Sequence, residues 1–317
     1  MSKVAVFMHG VYPRSRELAQ ASRDFDRKRI TLEELKKLQE SDFKKLQENQ
    51  EKANFDYLED GKLIWQDIFR PIVEATSGME VGSLTRWFDN NSFYRQPMIT
   101  GKLKFNPQKL DGFFKKLPVA NWKVTLPSPF TFAKVTDDTT SVSFEKTLAE
   151  ITEIMIKIVE HLVAKKVKFV QFNEPFIPYY QIKKSEVALL GKALSQFKRV
   201  KGDTLLAVQG YFGDTSVLVN TLAGNSALDA LGVDFLKTPL QSLPKKLPQA
   251  IIAGVLDGRN SLLEEKDVIK DFAEKIIKYF DTKILYLSNN SDLDLLPEAV
   301  ASAKIKLLGQ IRKELQK

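Results

Sequence analysis

One stretch of the chain, residues 144–172, decides the fold class: FEKTLAEITEIMIKIVEHLVAKKVKFVQF. From Leu148 to Leu162 its apolar side chains recur at helical spacing, which predicts a helix over Phe144–Ala164 with one buried face. The β-branched and aromatic run Lys168–Phe172 follows and predicts a buried strand. A second helical pattern, Ser185–Lys198, comes next. This order of helix, strand and helix is typical of α/β proteins.

The same alternation extends outward from this stretch in both directions. Eight short strand patterns, the second of them weak, are separated by helical patterns. Because strands joined by helices pair in parallel, eight of them in 317 residues predict one closed (β/α)8 TIM-type barrel over residues 1–317. The strand patterns are Val4–Met8, Asn54–Leu58, Trp122–Leu126, Lys168–Phe172, Leu205–Gln209, Val233–Leu236, Ile251–Leu256 and Ile284–Leu287.

Two segments are additional to the eight strands and helices of a minimal barrel. The first is an N-terminal helical hairpin over residues 16–53, in which Thr31 and Glu34 form a capping box at the start of the second helix. The second is an inserted aromatic hairpin segment over residues 85–105, for which Thr100-Gly101 is the predicted turn. Insertions after barrel strands lie at the face where barrels carry their function.

Two more helices are predicted near the end of the chain. One covers Leu262–Phe280, and Ser261 with Glu264 predicts a second capping box at its start. The other covers Pro297–Leu315 and begins with proline in its first turn, which is a favoured position for that residue.

Composition excludes several kinds of chemistry. The chain has no cysteine, which excludes disulfides, thiolate nucleophiles and zinc sites that need sulfur. His9 and His161 are its two histidines, too few for an all-histidine metal site. No Gly-x-Gly-x-x-Gly or Walker motif follows a strand pattern, which argues against dinucleotides and nucleoside triphosphates. We therefore expect no metal and no cofactor in this chain.

The charge balance is basic. Lysine and arginine number 48 against 40 acidic residues, for a formal net charge of +8. This favours an anionic partner, although a solvated surface of mixed sign gives the same balance. No nucleic-acid-binding motif accompanies the charge, and no apolar run is long enough to span a membrane. With Met1-Ser2-Lys3 running straight into a strand pattern, the sequence predicts a cytoplasmic protein that binds neither nucleic acid nor membrane.

Polar side chains follow several strand patterns, and the carboxyl ends of barrel strands build the site. Glu174 could be a general base or an ammonium ligand, or a buried carboxylate paired with lysine or arginine. Asp257 and Arg259 could clamp a ligand or form a tight turn, and Asn289 could bind a ligand or organise its loop. His9 is a possible acid–base group. No nucleophile–base pair is recognisable among these candidate ligand residues of the barrel mouth.

The strand-end residues resemble a known family, the cobalamin-independent methionine synthases. The resemblance covers essentially the whole chain and is carried in order by Gly10–Arg14, Arg16–Leu18, Thr85–Asn91, Phe93–Pro97, Gln171–Pro175, Tyr211–Gly213, Gly254–Asn260 and Ser288–Pro297. It implies two similar barrels that face each other in one long polypeptide. The C-terminal barrel holds a zinc ion through His, two Cys and Glu, and the zinc binds homocysteine as a thiolate that takes a methyl group from a methylated folate.

Residue by residue, the resemblance is with the N-terminal barrel of that family. Where the catalytic barrel of the family has its metal ligands and substrate-binding residues, this sequence has other residues. The family's His-x-Cys corresponds to Gln209-Gly210-Tyr211, and its second Cys to a position near Asn289 to Ser291. The proton donor of Asp-x-His corresponds to Arg259, Ile-Gly-Ser to His9-Gly10-Val11, and an ammonium-binding Glu to Arg70. The resemblance therefore implies no catalytic residue and no metal in this chain, with the zinc in a separate partner barrel.

The residues that hold the tail of the methyl donor do carry over. The family's Arg-Glu-Leu-Lys becomes Arg16-Glu17-Leu18-Ala19, and its Thr-Lys-Trp-Phe becomes Thr85-Arg86-Trp87-Phe88. The resemblance implies that Arg16, Glu17, Leu18 and Arg86 bind the tail of a methylated folate or pterin, and arginine suits the carboxylates of such a tail. The change from Lys to Ala19 leaves open a polyglutamate tail, another pterin or a corrinoid methyl carrier.

Three hypotheses follow. The first is a non-catalytic, donor-binding subunit of a split cobalamin-independent methionine synthase, completed by a separate zinc-bearing barrel. The second is an autonomous, metal-independent barrel enzyme related to uroporphyrinogen decarboxylase, with Glu174, Asp257 and Arg259 in its site. The third is a basic protein that binds nucleic acid or other anions.

Overall fold

The structure is a computed structural model that describes residues 3–115, 117, 120–141 and 143–316. The ends of the predicted domain, Met1 and Lys317, lie outside the described residues, as does Ser2 of the predicted N-terminus. Within these described residues, ten strands form two sheets: β1 (Lys3–Val6), β2 (Thr76–Arg86), β3 (Phe93–Phe105), β4 (Lys123–Pro127), β5 (Asp137–Asp138), β6 (Phe169–Glu174), β7 (Leu205–Gly210), β8 (Ala230–Asp234), β9 (Ala250–Leu256) and β10 (Ile284–Asn289).

Seven of these strands form one parallel, curled sheet in the order β1-β10-β9-β8-β7-β6-β4. Residues 56–58 lie between its two ends: the N–H of Asp56 donates to the carbonyl oxygen of Val6 at 2.9 Å, and Leu58 makes a parallel bridge to Trp122. The weak second strand pattern is thus reduced to one bridged residue, because Asn54 has a left-handed φ of 55° that interrupts the extended chain. The predicted α/β barrel fold is confirmed.

The helices pack around this sheet. The predicted helix Phe144–Ala164 has the same bounds in the structure, and the capping box of Thr31 and Glu34 is present. The helices are α1 (Arg16–Asp26), α2 (Leu32–Lys52), α3 (Arg70–Glu74), α4 (Pro107–Asp111), α5 (Pro129–Val135), α6 (Phe144–Ala164), α7 (Phe176–Tyr180), α8 (Lys184–Ser195), α9 (Ser216–Leu222), α10 (Lys266–Phe280) and α11 (Glu298–Leu315).

The predicted turn of the aromatic hairpin was wrong. Strands β2 and β3 pair antiparallel, and the chain reverses at residues 87–92, where the N–H of Trp87 donates to the carbonyl oxygen of Ser92 at 2.9 Å. Thr100 and Gly101 lie inside β3. The reversal depends on Phe88, whose φ of 51° is left-handed although the residue is bulky, so no glycine signal marked it.

The second capping box was also wrong. Helix α10 begins at Lys266, and Glu264 lies before it. The Glu264 carboxylate accepts a hydrogen bond from the N–H of Asp257 at 2.7 Å and pairs with Nζ of Lys304, also at 2.7 Å. These partners from distant parts of the chain compete with local capping of the helix.

The interior of the curled sheet changes character from one end to the other. Because side chains alternate along a strand, inward-facing positions recur every second residue. At the level of Phe7 and Phe169 the buried side chains of the interior are apolar apart from Lys123, and the two rings pack edge-on with centroids 5.3 Å apart. Two residues further along the same strands come His9 and Gln171, which are polar and fully buried. These polar residues of the interior therefore lie towards the carboxyl end of the barrel.

Candidate functional site: a cleft at the barrel mouth

A cleft of about 730 Å³ opens at the carboxyl end of the barrel. It lies among the segments that follow β1 and β10, residues 62–68 and the turn of the β2–β3 hairpin. Its aromatic lining residues are Tyr12, Trp65, Trp87, Phe93, Tyr94 and Phe212.

Two aspartates line the cleft: Asp292, which is buried, and Asp294, which is exposed. Oδ1 of Asp292 accepts a hydrogen bond from the N–H of Val11 at 2.8 Å, and the hydroxyl of Tyr211 donates to Oδ2 at 3.3 Å. Gly10 makes room for this carboxylate: its φ is 68°, and a Cβ there would lie 1.7 Å from Oδ1 of Asp292. Desolvation at the cleft wall and the neighbouring Asp292 carboxylate raise the pKa of Asp294, and the Arg14 guanidinium opposes this rise.

His9 lies directly behind Asp292 and is fully buried. Its Nδ1 is 3.0 Å from Nε2 of Gln171, and its Nε2 is 3.9 Å from Oδ1 of Asp292. Within the described residues this Nε2 has no hydrogen-bond partner. Burial lowers the pKa of His9 despite the nearby Asp292, so the ring stays neutral at pH 7. The candidate acid–base group is therefore enclosed.

Glu174 does not reach the surface of the mouth. Its carboxylate is fully buried and accepts hydrogen bonds from the hydroxyls of Ser128 and Thr131, the latter at 2.7 Å, and from the N–H of Ile177 at 3.0 Å. Burial raises its pKa. Within the described ion pairs it has no lysine or arginine, so the expected pairing with a cation is corrected: hydroxyls and backbone amides satisfy it instead.

Asn289 and Asp257 organise the loops of the mouth. The buried amide of Asn289 bonds to both backbone groups of His9, accepting from N at 2.9 Å and donating to O at 3.0 Å. Oδ1 of Asp257 accepts from the N–H of Arg259 at 2.8 Å, which is the geometry of a tight turn. These contacts are those expected of the structural alternative for each side chain.

Arg259 crosses the mouth to the β2–β3 hairpin. Its guanidinium lies 3.4 Å from Oδ2 of Asp89 and stacks over the ring of Phe212 at 5.2 Å. The ring of Phe88, next to Asp89, packs against the same Phe212 with centroids 5.7 Å apart. The hairpin turn is thus attached to the loop after β9 by one partly exposed ion pair and a group of rings.

Of the residues expected to bind the donor tail, Arg16 and Glu17 are exposed and line the cleft. Leu18 is buried in the core, and its N–H donates to Oγ of Ser15 at 3.1 Å. This part of the predicted set therefore splits into two accessible side chains and one packing side chain.

Arg86 lies elsewhere. It lines a separate cavity of about 240 Å³, and its Nε donates to the carbonyl oxygen of Asn90 at 2.8 Å. Trp87 and Tyr94 line both cavities and stand between them. Arg16 and Arg86, which the sequence places in one binding set, are thus in different cavities of this chain.

The sequence did not reveal a buried charge cluster beneath the cleft. Nζ of Lys123 lies 2.7 Å from Oε2 of Glu59 and Nζ of Lys62 lies 3.5 Å from Oε1, and all three side chains are buried. Burial alone would raise the pKa of Glu59, but the two lysines hold it below its usual value; burial lowers the pKa of Lys123. A lysine inside the strand pattern Trp122–Leu126 was the available signal.

Sequence patterns did not single out the two aspartates of the cleft, Asp292 and Asp294, although they marked the residues directly before them. The run Asn289-Asn290-Ser291 was recognised as a strand end, and Asp292 follows it directly. Asp292 lies outside the helices and strands and Asp294 lies in a turn, so no helical or strand periodicity marks them. Only the folded chain shows that they line a cavity.

The residues at the expected zinc positions do not fit a zinc ion. Nε2 of Gln209 donates to the carbonyl oxygens of Asn289 and Asn290, both at 3.2 Å, and Tyr211 donates to Asp292. Across the described ranges, no group of three or more His, Asp or Glu side chains is arranged to hold a metal ion. Amide and phenol groups do not replace the nitrogen and sulfur ligands that zinc prefers.

Comparisons with known proteins identify the family. Residues 75–281, more than half of the chain, match the family model described as "Cobalamin-independent synthase, N-terminal domain". The chain belongs to this family. Its fold is similar to that of a putative vitamin-B12-independent methionine synthase from Listeria monocytogenes, with a TM-score of 0.77, 16% identity and 99% of each chain covered.

Relatives of two lengths match the chain. The methionine synthase of Sulfolobus acidocaldarius is 24% identical over 97% of this chain and 92% of its own length. The 5-methyltetrahydropteroyltriglutamate–homocysteine methyltransferase of Corynebacterium glutamicum is 29% identical over 65% of this chain, but the match covers only 27% of that longer protein. The chain thus corresponds to one part of the long relatives. In the described part of the chain, no helix has the length and apolarity needed to cross a membrane.

Proposed function

We propose that this protein is the non-catalytic, donor-binding subunit of a split cobalamin-independent methionine synthase, completed by a separate zinc-bearing barrel. Membership of the N-terminal-domain family supports the reaction class, methyl transfer to homocysteine. The match to only 27% of the long Corynebacterium relative supports the need for a second barrel. The zinc in that partner would supply the thiolate of homocysteine.

One observation carries the non-catalytic role. The strand ends at which the resemblance expects the zinc ligands and the proton donor carry Gln209, Tyr211 and Arg259. Each of these side chains is engaged within the barrel, with backbone carbonyls, with Asp292 and with Asp89 respectively. They hold the mouth together and have neither the ligands nor the acid that the reaction requires.

The methyl donor would meet the chain at the outer part of the cleft. Arg16 is exposed there and occupies the first turn of α1, so its guanidinium and the positive end of the helix both favour carboxylates of a folate or pterin tail. Arg86, in the second cavity, would contact the same donor only if the tail reaches around Trp87.

Methyl transfer to homocysteine tests the proposal. A zinc-bearing barrel from the same genome is assayed with a methylated folate or pterin, with and without this protein, and zinc is measured in each purified chain. We expect negligible transfer by this chain alone, substoichiometric zinc in it, and a rate at least about tenfold higher when both chains are present, because the donor is positioned only in the complex.

Two outcomes contradict the proposal. Methylation of homocysteine by this chain alone, above a heat-inactivated control, would identify an autonomous enzyme. A zinc barrel that is fully active by itself and unaffected by this protein would show that no split synthase exists.

A further inference from the structure

The two cavities of the mouth share one wall. Trp87 and Tyr94 line both the cleft of about 730 Å³ and the cavity of about 240 Å³. Their rings pack edge-on with centroids 5.5 Å apart, and both rings pack against the fully buried Phe69. Trp87 begins the turn of the β2–β3 hairpin, residues 87–92. A displacement of this turn would therefore displace the wall.

The turn is attached to the barrel by the ring of Phe88. This ring packs into an aromatic socket with centroid distances of 4.7 to 6.4 Å, and the socket consists of Phe176, Tyr179, Tyr180 and Phe212. The socket itself is tightly built, because a Cβ on Gly213 would lie 2.3 Å from the carbonyl oxygen of Pro178 in α7. The turn therefore rests against a fixed surface through one side chain.

The contact between the turn and the socket is strained on both sides. Phe88 has a φ of 51° and Phe212 a φ of 70°, which is the left-handed region that bulky residues rarely adopt. The two rings touch each other, with centroids 5.7 Å apart. Strained backbone of this kind persists only while its surroundings hold it, and it clusters in switch regions. Departure of the turn from the socket would release the strain.

The second attachment of the turn is weak. Asp89 pairs with Arg259 at 3.4 Å, and both side chains are partly exposed. The guanidinium of Arg259 also stacks over the ring of Phe212, 5.2 Å from its centroid. Because solvent and salt screen such a pair, it contributes little to the stability of the fold. Ring contacts and one screened ion pair thus oppose the backbone strain.

We propose that the turn, residues 87–92, is a gate between the two cavities. When the gate is closed, as in this structure, Arg16 in the cleft is separated from Arg86 in the second cavity. When Phe88 leaves its socket, the wall formed by Trp87 moves and the cavities join into one groove with an arginine in each half. Such a groove suits an extended ligand with several carboxylates. This role rests on the proposed function, whose donor tail is such a ligand.

A single thiol in the turn measures opening of the gate. The chain has no cysteine, so Asn90→Cys places one thiol at a position that is 4% exposed. Its reaction with the neutral reagent 4,4′-dithiodipyridine requires the turn to open. In this background Phe88→Asn, which tolerates a left-handed φ but lacks the ring, should raise the labelling rate at least about tenfold. Asp89→Asn should raise it about fivefold.

Salt and a control variant make the labelling specific. Higher salt should accelerate labelling of Asn90→Cys but have no effect once Asp89→Asn is added, because the ion pair is then absent. Asp203→Asn, an exposed position before β7 at the opposite end of the barrel, should leave the labelling rate unchanged. Labelling that is insensitive to both Phe88→Asn and Asp89→Asn would overturn the gate. So would faster labelling that only follows a lower melting temperature, since the whole chain then unfolds.

Binding of the donor tests the joined groove. In the cysteine-free chain, Phe88→Asn should bind a methylated folate with three glutamates several-fold more tightly than the wild type, because more of the chain is in the open form. The form with one glutamate, too short to pass Trp87, should bind both proteins alike in calorimetric titrations. Equal affinities for the longer form would overturn the joined groove. Absence of any folate binding would contradict the donor role alone, because thiol labelling involves no donor.

Discussion

At the scale of single residues, the barrel interior depends on charges that are buried but compensated. Lys123 is fully buried between Glu59, the carbonyl oxygen of Met8 and the ring of Phe7. Such a cluster costs desolvation free energy, and its charges stabilise the fold only as a complete set. Removing one member should therefore be worse than removing all three charges.

Lys123→Met should lower the free energy of unfolding by about 3 kcal/mol, because Glu59 keeps its charge and loses its nearest cation. The triple variant Lys62→Met, Lys123→Met, Glu59→Gln, which removes all three buried charges, should lose less than the single variant. Chemical denaturation measures both values. Arg199→Ala is the control, since its pair with Glu153 is more than half exposed on both sides and should be worth less than about 1 kcal/mol. A triple variant less stable than the single one would contradict the account.

At the scale of elements, the β2–β3 hairpin is the least expected feature of the mouth. Its turn is held over the cleft by the pair of Arg259 and Asp89 and by the rings around Phe88. The pair is partly exposed, so it should matter more for the position of the hairpin than for the stability of the fold.

Arg259→Ala should increase hydrogen exchange of the amides in residues 87–92 several-fold, because the turn loses its attachment to the loop after β9. The melting temperature should change little, and exchange in β6 and β7 should stay as in the wild type. Lys270→Ala, which removes an exposed helical pair with Glu274, serves as the control. Unchanged exchange in the turn would show that the aromatic contacts hold it alone.

At the scale of the whole molecule, binding of the proposed methyl donor can be measured separately from association with the proposed partner barrel. Arg16→Ala should raise the apparent KM for the methyl donor of the mixed system roughly fivefold, since an exposed ion pair is worth about 1 kcal/mol, and higher salt should reduce the difference. Arg27→Ala, at the other end of α1, should leave KM unchanged. Association of the two chains, measured by sedimentation, should be the same for all three proteins. An unaltered donor KM in Arg16→Ala would leave Arg16 as a surface charge only.

The sequence by itself determined the fold class, the order of strands and helices, and the family. Helical and strand patterns are local and strong: α6 has its predicted bounds, and the carboxyl ends of parallel strands meet whatever the loops do. The absence of cysteine alone excludes sulfur-ligated zinc.

Only the tertiary structure decided what the polar residues do. The sequence predicts Glu174 and Asn289 at the barrel mouth, but in the structure both are buried among partners that are distant along the chain. Glu264, which the sequence predicts in a capping box, pairs with Lys304 instead. The cleft forms from segments that are distant along the chain, so no local pattern marks Asp294 as part of a site. The reason is physical: periodicity records how much apolar surface each element must bury, whereas the partners of a polar group depend on which elements meet in space.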